Sequence, residues 1–307
     1  MKRILLTLSA TLLLMLLVRT CAFTSCTIPS AGMENSLYRG DRVIVNKWSY
    51  GLRMPFVSLW GYHRWLPSSV EYGDIVLFNN PAPTNDKESI DGREVYISRC
   101  MGEPGDTLML NSKLDITGDF VVNPDDKYLY AYPGEKEDVI QKAMNRLGIT
   151  DNFLLGYDEG NYIRSFSHFE LYLLKQHLEG TIEFKALQTD TTEGVHPFVI
   201  PSKGKAIRIY PWNAKLLCNT INRHEKRNAQ LKGDSLLIDG KFVQTYTFQK
   251  DYCWMASANS INVYDSRLFG LVPEDHLIGR ASFIWFSKDT TAPWYKGYRW
   301  DRFFIKL

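Results

Sequence analysis

The reactive side chains of this chain are spaced against most of the chemistries they could perform. Six histidines, at 63, 168, 177, 196, 224 and 276, form no i, i+4 pair and no H-E-x-x-H, the spacing that sets two imidazoles around a metal on one helix face. Five cysteines, at 21, 26, 100, 218 and 253, contain no C-x-x-C, so neither a zinc ribbon nor a thioredoxin-like site is encoded. Their odd number and scatter do not resemble a disulfide framework; they read as buried or free thiols, with one or two bridges at most. No metal or cofactor is expected. Hydroxyl chemistry remains. The stretch I-P-S-A-G-M-E-N-S-L, residues 28–37, carries Ser30 and Ser36, and Lys47 follows it. A serine becomes a nucleophile only with a base within about 3 Å.

Short β-rich runs must position these residues. Gly40-Asp41 precedes an apolar run at 42–45, Gly73-Asp74 one at 75–78, and Gly105-Asp106 one at 107–110. A Gly-Asp turn before each run predicts an antiparallel β-barrel or sandwich. A further strand is expected at 95–97. The middle of the chain changes character: 136–147 and 166–178 have helical spacing, with Val139, Ala143 and Leu147 on one face of the first. Residues 232–243 read as a hairpin turning at Asp239-Gly240. Strand returns at 281–286 and 298–307. The fold class is mainly β with an α+β insertion. The expected organisation is an anchor at 1–23, a β core from 24–110 and 251–307, and a cap insertion at 111–250.

Composition fits that class. Of 307 residues, 45% are hydrophobic and 23% charged, ordinary for a globular chain, and 13% aromatic, as strand-rich proteins often are. A net charge of +2 gives no sign of a nucleic-acid partner. Around Trp48, Tyr50, Trp60, Tyr62 and Trp65 the aromatics read either as core or as an interfacial belt on a membrane. His224, in N-R-H-E-K-R-N, reads as part of a solvated charged loop.

The N-terminus is a targeting or anchoring segment. Lys2 and Arg3 precede an apolar run at 4–18. A helix over that run reaches about 22 Å at 1.5 Å per residue, against a hydrocarbon core of about 30 Å. Extension to Phe23 supplies the length if Arg19 snorkels to the far surface. The basic end stays in the cytoplasm, which puts the bulk of the chain outside. A removed signal peptide is the rival reading. Phe23-Thr24-Ser25-Cys26 is also close to a lipoprotein cleavage box, with phenylalanine a poor fit at its first position.

Four segments together resemble signal peptidase I, the membrane-anchored serine protease that removes signal peptides from exported proteins. Residues 28–37 are similar to I-P-S-x-S-M-x-P-T-L, and G-D-R-V-I-V-N-K-W-S-Y-G at 40–51 to G-D-x-x-x-V-x-K-x-x-Y-G. After G-D-I-V-L-F comes Y-I-S-R-C-M-G-E-P-G-D at 96–106, similar to Y-I-K-R-x-x-G-x-P-G-D. Residues 259–281 resemble N-R-x-x-S-x-D-S-R-x-W-G-x-V-P. The closing R-W-D-R-F-F looks like the tail of Bacteroidetes-type members.

The resemblance implies a Ser–Lys dyad, in which a lysine desolvated in an apolar pocket acts as general base. This chain departs from it at the reactive positions. Gly32 stands where the nucleophile belongs, Ser98 where the lysine belongs, and Val263 where a serine contacts the lysine amine. Asp265, Ser266 and Arg267 match, and Asp265 with Arg267 is expected to hold the loop. Ser30 matches an oxyanion-hole serine. Loss of a serine nucleophile costs about 10⁶ in kcat, roughly 8 kcal/mol of barrier.

The expectation is therefore a signal peptidase I-like protein that binds signal-peptide-like segments by strand pairing near Ile28, Pro29 and Ser30 and near Val95, Tyr96 and Ile97. Its partners would be signal peptides or preproteins, membrane lipid and a catalytic paralogue, at a bacterial inner membrane with the bulk of the chain periplasmic. The alternatives are an active peptidase with a rewired Ser30–Lys47 or Ser36–Lys47 dyad, and a structural surface lipoprotein anchored through Cys26.

Overall fold

Each of the three Gly-Asp turns is built the same way in the computed structural model of the chain. Gly40, Gly73 and Gly105 have φ of +90°, +88° and +97°, a left-handed conformation that a side chain would strain. The aspartate after each glycine accepts the backbone N–H three residues back: Tyr38 N to Asp41 Oδ2 at 2.9 Å, Glu71 N to Asp74 Oδ2 at 3.3 Å and Glu103 N to Asp106 Oδ2 at 2.9 Å. The structure describes residues 2–30, 32–33, 35–55, 57–85, 87–117, 127–149, 152, 154–187, 194–258 and 264–307.

The strands released by these turns form one eight-stranded sheet. Its members are β1 (Phe23–Thr27), β2 (Asp41–Asn46), β5 (Ile75–Asn79), β6 (Val95–Gly102), β18 (Tyr252–Ala256), β19 (Val272–Pro273), β20 (Leu277–Ser287) and β21 (Ile305–Lys306). The order is β1-β2-β20-β5-β6-β18-β19, antiparallel throughout, with β21 beside β20. Register shifts along β20 curl the sheet into a half-barrel. β5 is buried on both sides: Ile75 and Leu77 join Ile28, Met33, Leu37, Val43 and Val45, while Val76 and Phe78 join Tyr50, Cys100, Cys253 and Met255. Two short strands, β3 (Leu52–Arg53) and β4 (Arg64–Trp65), pair near a four-residue helix, α2 (Val57–Trp60). Residues 298–307 are mostly not strand: a 3-10 turn at Trp300–Arg302 precedes β21, and the segment is held by Arg302, not by a continuous ladder.

Between β6 and β18 two further cores form. The first packs β7 (Thr107–Leu110), β12 (His196–Val199), β13 (Ala206–Arg208), β14 (Ala229–Lys232), β15 (Ser235–Ile238), β16 (Lys241–Val243) and β17 (Thr245–Thr247) around α5 (Pro211–His224). The Asp239-Gly240 hairpin forms as expected, with Ile238 opposite Lys241. Tyr252 and Trp254 of β18 point into this core. The second packs β8 (Lys127–Pro133), β9 (Gly156–Asp158), β10 (Asn161–Ser167) and β11 (Lys185–Ala186) against α3 (Glu137–Leu147) and α4 (His168–His177). The buried face of α3 is Ile140, Ala143 and Met144, whereas Val139 is 46% exposed, one position off the expected stripe. The i, i+3, i+4 set fills the concave face better than an i, i+4 column does. A short helix, α6 (Ser266–Phe269), follows β18.

His224 is buried, not solvated. It closes α5 with its ring 5.3 Å from that of His276, because α5 turns its last residue inward onto the β20 approach.

The N-terminal helix α1 (Lys2–Cys21) carries exposed Ile4, Leu8, Leu12, Leu13, Met15 and Leu16. Thr7, Thr11 and Thr20 return their hydroxyls to the carbonyls of Ile4, Thr7 and Leu16. Among the described residues no helix is long and apolar enough to cross a membrane.

Candidate active site

Three chain segments converge on β6. The segment after β1 is pinned first: Ile28 N–H donates to the Asp41 carbonyl at 2.8 Å and Gly40 N–H to the Ile28 carbonyl at 2.9 Å. Ile28 therefore has both backbone groups engaged and its side chain in the core. Pro29 is exposed, Ser30 half-buried, and Gly32 buried just before the turn that Leu37 N–H closes on the Met33 carbonyl. Met33 packs in the cluster that Ile97 of β6 borders. Arg99 ties the same segment down, donating through Nη2 to Ser36 Oγ at 2.7 Å and through Nη1 to the Gly73 carbonyl at 2.9 Å.

On the opposite face of β6, Ser98 is 0% exposed and its Oγ lies 3.5 Å from the Tyr264 carbonyl oxygen. Tyr96, two residues earlier on that face, meets the Tyr264 ring at 5.4 Å and stacks on Phe269 at 6.0 Å. Burial, and then the hydrogen bond its hydroxyl donates to Glu94 Oε2, pushes the phenol up to about 12. β5 covers one edge of β6 from Val95 onward, pairing Val95 with Asn79, Tyr96 with Phe78 and Ile97 with Leu77. β18 covers the other edge only from Arg99 onward. Among the described residues, Val95, Tyr96 and Ile97 thus have one strand edge without a neighbour.

The loop after β18 is held by Asp265. This fully buried carboxylate accepts from Ser257 N at 2.7 Å and Arg267 N at 3.0 Å, and pairs with Arg267 Nη2 at 2.6 Å. Ser266 Oγ accepts from Met255 N at 2.8 Å. Asp265 and Arg267 thus fold the chain back against β18, as a structural pair does. Val263 lies outside the described residues.

Lys47 sits away from both serines' chemistry. Its ammonium donates to the carbonyls of Arg19 at 3.1 Å and Thr20 at 3.0 Å, capping the C-terminus of α1. Burial lowers its pKa, with the cations Arg53 and Arg19 adding to the effect. That is the direction a general base needs, yet neither Ser30 nor Ser36 is its hydrogen-bond partner. Trp48 joins the same junction, its Nε1–H donating to the Cys21 carbonyl at 2.7 Å.

Local spacing missed three features. Lys127, at the start of β8, buries its side chain completely with Nζ 3.4 Å from Glu170 Oε1, and its N–H donates to the Ala258 carbonyl. Asp41 is buried against Arg302 Nη2 at 2.7 Å and Ser287 Oγ at 2.5 Å. His276 Nδ1–H donates to Asp275 Oδ1 at 2.8 Å, which leaves Nε2 to accept from Arg93 Nη1 at 2.9 Å, while Lys250 Nζ binds Asp275 Oδ2 at 2.6 Å. Arg302 to Asp41 and Lys127 to Glu170 join positions far apart in the chain, and only pairing of the sheets could reveal them.

A family model described as signal peptidase, peptidase S26, matches residues 1–187 and 199–286. The chain belongs to the signal peptidase I family. Among similar proteins, the signal peptidase I of Buchnera aphidicola subsp. Schizaphis graminum is 28% identical over 278 residues, covering 90% of this chain and 72% of the relative. The corresponding protein of Buchnera aphidicola subsp. Acyrthosiphon pisum is 25% identical, with 93% and 76% covered, and that of Haemophilus influenzae 23% identical, with 95% and 71% covered. Membership makes this chain a relative of hydrolytic proteases whose ligands are signal-peptide-bearing preproteins.

Proposed function

We propose that this protein is a signal peptidase I-family member that binds signal-peptide-like segments and does not cleave them. The observation that carries the reading is the site's composition: buried Gly32 offers no nucleophile, and Ser98, sealed against the Tyr264 carbonyl, is no base near neutral pH. The edge of β6 at Val95, Tyr96 and Ile97 supports binding, since an extended peptide can add a strand there. The opposite wall begins at Pro29 and Ser30, because Ile28 has used its backbone groups. The Ser30 hydroxyl is kept as an oxyanion-type donor without an oxyanion to meet.

We infer further that α1 anchors the chain in a bacterial inner membrane in a single pass, with its exposed apolar side chains in lipid and the rest of the chain periplasmic. Exposed Trp48, Trp60, Trp65, Trp294 and Trp300 are suited to the lipid interface, whereas Tyr50 belongs to the core. Residues 111–250 form the cap, and a catalytic paralogue is the partner that would use a bound preprotein.

The rival reading, an active peptidase using Ser30 or Ser36 with Lys47, draws on the lowered Lys47 pKa and is weakened by the two carbonyls which that amine already binds. The binding claim is tested with a synthetic signal peptide carrying small −1 and −3 residues, titrated into the full-length protein in detergent. An affinity on the order of micromolar or weaker is expected, since only one short strand edge is engaged. Equal affinity for a peptide with bulky −1 and −3 residues would remove the claim of a family-type groove.

A further inference from the structure

Glu274 and Asp251 line one cavity at the root of the insertion. Glu274 opens the 3-10 turn that follows β19, and Asp251 directly precedes β18. The Glu274 N–H donates to the Asp251 carbonyl at 2.9 Å, which sets the two residues side by side. Both are half-buried. Among the described residues the Glu274 carboxylate makes no hydrogen bond, and Asp251 uses only Oδ1, which accepts from Ser202 Oγ at 3.1 Å and Lys203 N at 2.8 Å. Burial, then the charge of Asp251, raises the Glu274 pKa. A partly desolvated carboxylate without a donor is unfavourable, so the position is short of a cation. The cavity measures about 180 Å³ and is also lined by Arg64, Ser68, Ser69 and Leu277. Arg64 does not fill the need. Its Nη1 donates to the Tyr50 carbonyl at 3.3 Å and its Nη2 to the Leu277 carbonyl at 2.6 Å, and its guanidinium lies 5.7 Å over the Tyr62 ring. Ser68 and Ser69 are exposed, and among the described residues their hydroxyls make no hydrogen bond.

We propose that this cavity binds a small free primary amine as its ammonium ion. Two carboxylates line it against one guanidinium, so it favours a cation over an anion. An ammonium group has three N–H donors and no acceptor. The unused acceptors match it: the Glu274 carboxylate, Asp251 Oδ2 and the hydroxyls of Ser68 and Ser69. The charge-assisted hydrogen bond to Glu274 is the strongest of these contacts. Buried Val70 and Leu277 receive the alkyl chain. The volume equals that of about six waters at about 30 Å³ each, enough for an amine of about four carbons. A metal ion is the poorer occupant, since among the described residues no three His, Cys, Asp or Glu side chains stand together to hold one. A bound amine bridges the 62–70 segment of the core to Asp251 and stabilises the folded chain by mass action. None of the lining residues is among those assigned to peptide binding, so the inference stands apart from the non-cleaving reading.

The test titrates butylammonium chloride into the full-length protein in non-ionic detergent by calorimetry, at constant ionic strength. One saturable site is expected, with a dissociation constant on the order of a millimolar, since so few ligand atoms touch the protein. At ten times that concentration the thermal midpoint should rise by roughly 2–4 °C. Glu274→Gln keeps the shape and removes the charge, and should weaken binding by about tenfold or more. Ser68→Trp, at an exposed position that asks nothing of the core, should block entry and abolish binding. Glu183→Gln, an exposed carboxylate on the second core, should change neither affinity nor midpoint shift. Butan-1-ol and sodium butyrate should not bind. No saturable binding of butylammonium up to tens of millimolar, about ten times the expected constant, would overturn the proposal. Undiminished binding by Glu274→Gln or Ser68→Trp would do the same, as would tighter binding of butyrate or of calcium ion. Tighter binding of Nα-acetyl-lysine amide than of butylammonium would overturn the assignment to a free amine.

Discussion

The Ser98 hydroxyl lies 3.5 Å from the carbonyl oxygen of Tyr264, with no solvent exposure of the Ser98 side. This joins β6 to the loop that leads into α6. The contact closes the position with a hydroxyl. A lysine placed there would enter an apolar strand interior, the environment that lowers an amine pKa.

Asp265 should be the most costly single side chain to remove near the site. It is fully buried and serves Ser257 N, Arg267 N and the Arg267 guanidinium. Asp265→Ala leaves two N–H groups without that acceptor and Arg267 with only its longer contacts, to Asp115 Oδ1 and the Ser257 carbonyl at 3.4 Å each, and a loss of about 3–5 kcal/mol is expected in urea unfolding. A loss under about 1 kcal/mol would show that the loop is held by other contacts.

Stability should fall on mild acidification. Burial, then the neighbouring His276, lowers the His224 pKa well below its ordinary 6.5; burial also lowers that of His276, against the opposing pull of Asp275. A depressed folded pKa means that the unfolded chain binds more protons below about 6.5, so stability is present above that pH and declines below it. Burial raises the Asp275 carboxyl, but His276 and Lys250 outweigh it and hold it far below 3.8, so a second decline begins near pH 4. His224→Gln should flatten the slope between pH 6.5 and 5 by up to about 1.4 kcal/mol per pH unit. An unchanged slope in chemical denaturation would contradict the assignment to His224.

The anchor is checked by fractionation. The protein should sediment with the inner membrane, and protease added from outside should digest it beyond about residue 30, after the turn that α1 and β1 make. A soluble, N-terminally trimmed form as the main species would contradict the anchor.

Lys47→Met separates capping from catalysis. Loss of the cap at Arg19 and Thr20 should cost about 1 kcal/mol or less. Peptidase activity should be absent before and after the change. Activity that Lys47→Met abolishes would establish the rewired dyad.

Elements whose cause is local were legible in the sequence. Gly40-Asp41, Gly73-Asp74 and Gly105-Asp106 each form a turn because the glycine accepts a left-handed φ and the aspartate caps the N–H three residues back. The Asp239-Gly240 hairpin is similarly self-contained. His224 was not legible: its neighbours are charged, and only the docking of α5 on the His276 segment buries it. Residues 298–307 look strand-like by composition, yet Trp300, Phe304 and Ile305 are exposed and Arg302 provides the attachment through Asp41. That β18 leaves the start of β6 uncovered depends on a register that no local pattern encodes.

The most direct measurement is cleavage of a preprotein by the purified full-length protein and a restoration series. The unmodified protein should show no cleavage above background. Gly32→Ser alone should stay inactive for want of a base, and Ser98→Lys alone for want of a nucleophile. The double change should give partial activity, and adding Val263→Ser should exceed it by supplying a hydroxyl to orient the lysine amine. Cleavage by the unmodified protein, lost on Ser30→Ala or Ser36→Ala and on Lys47→Ala, would contradict the account.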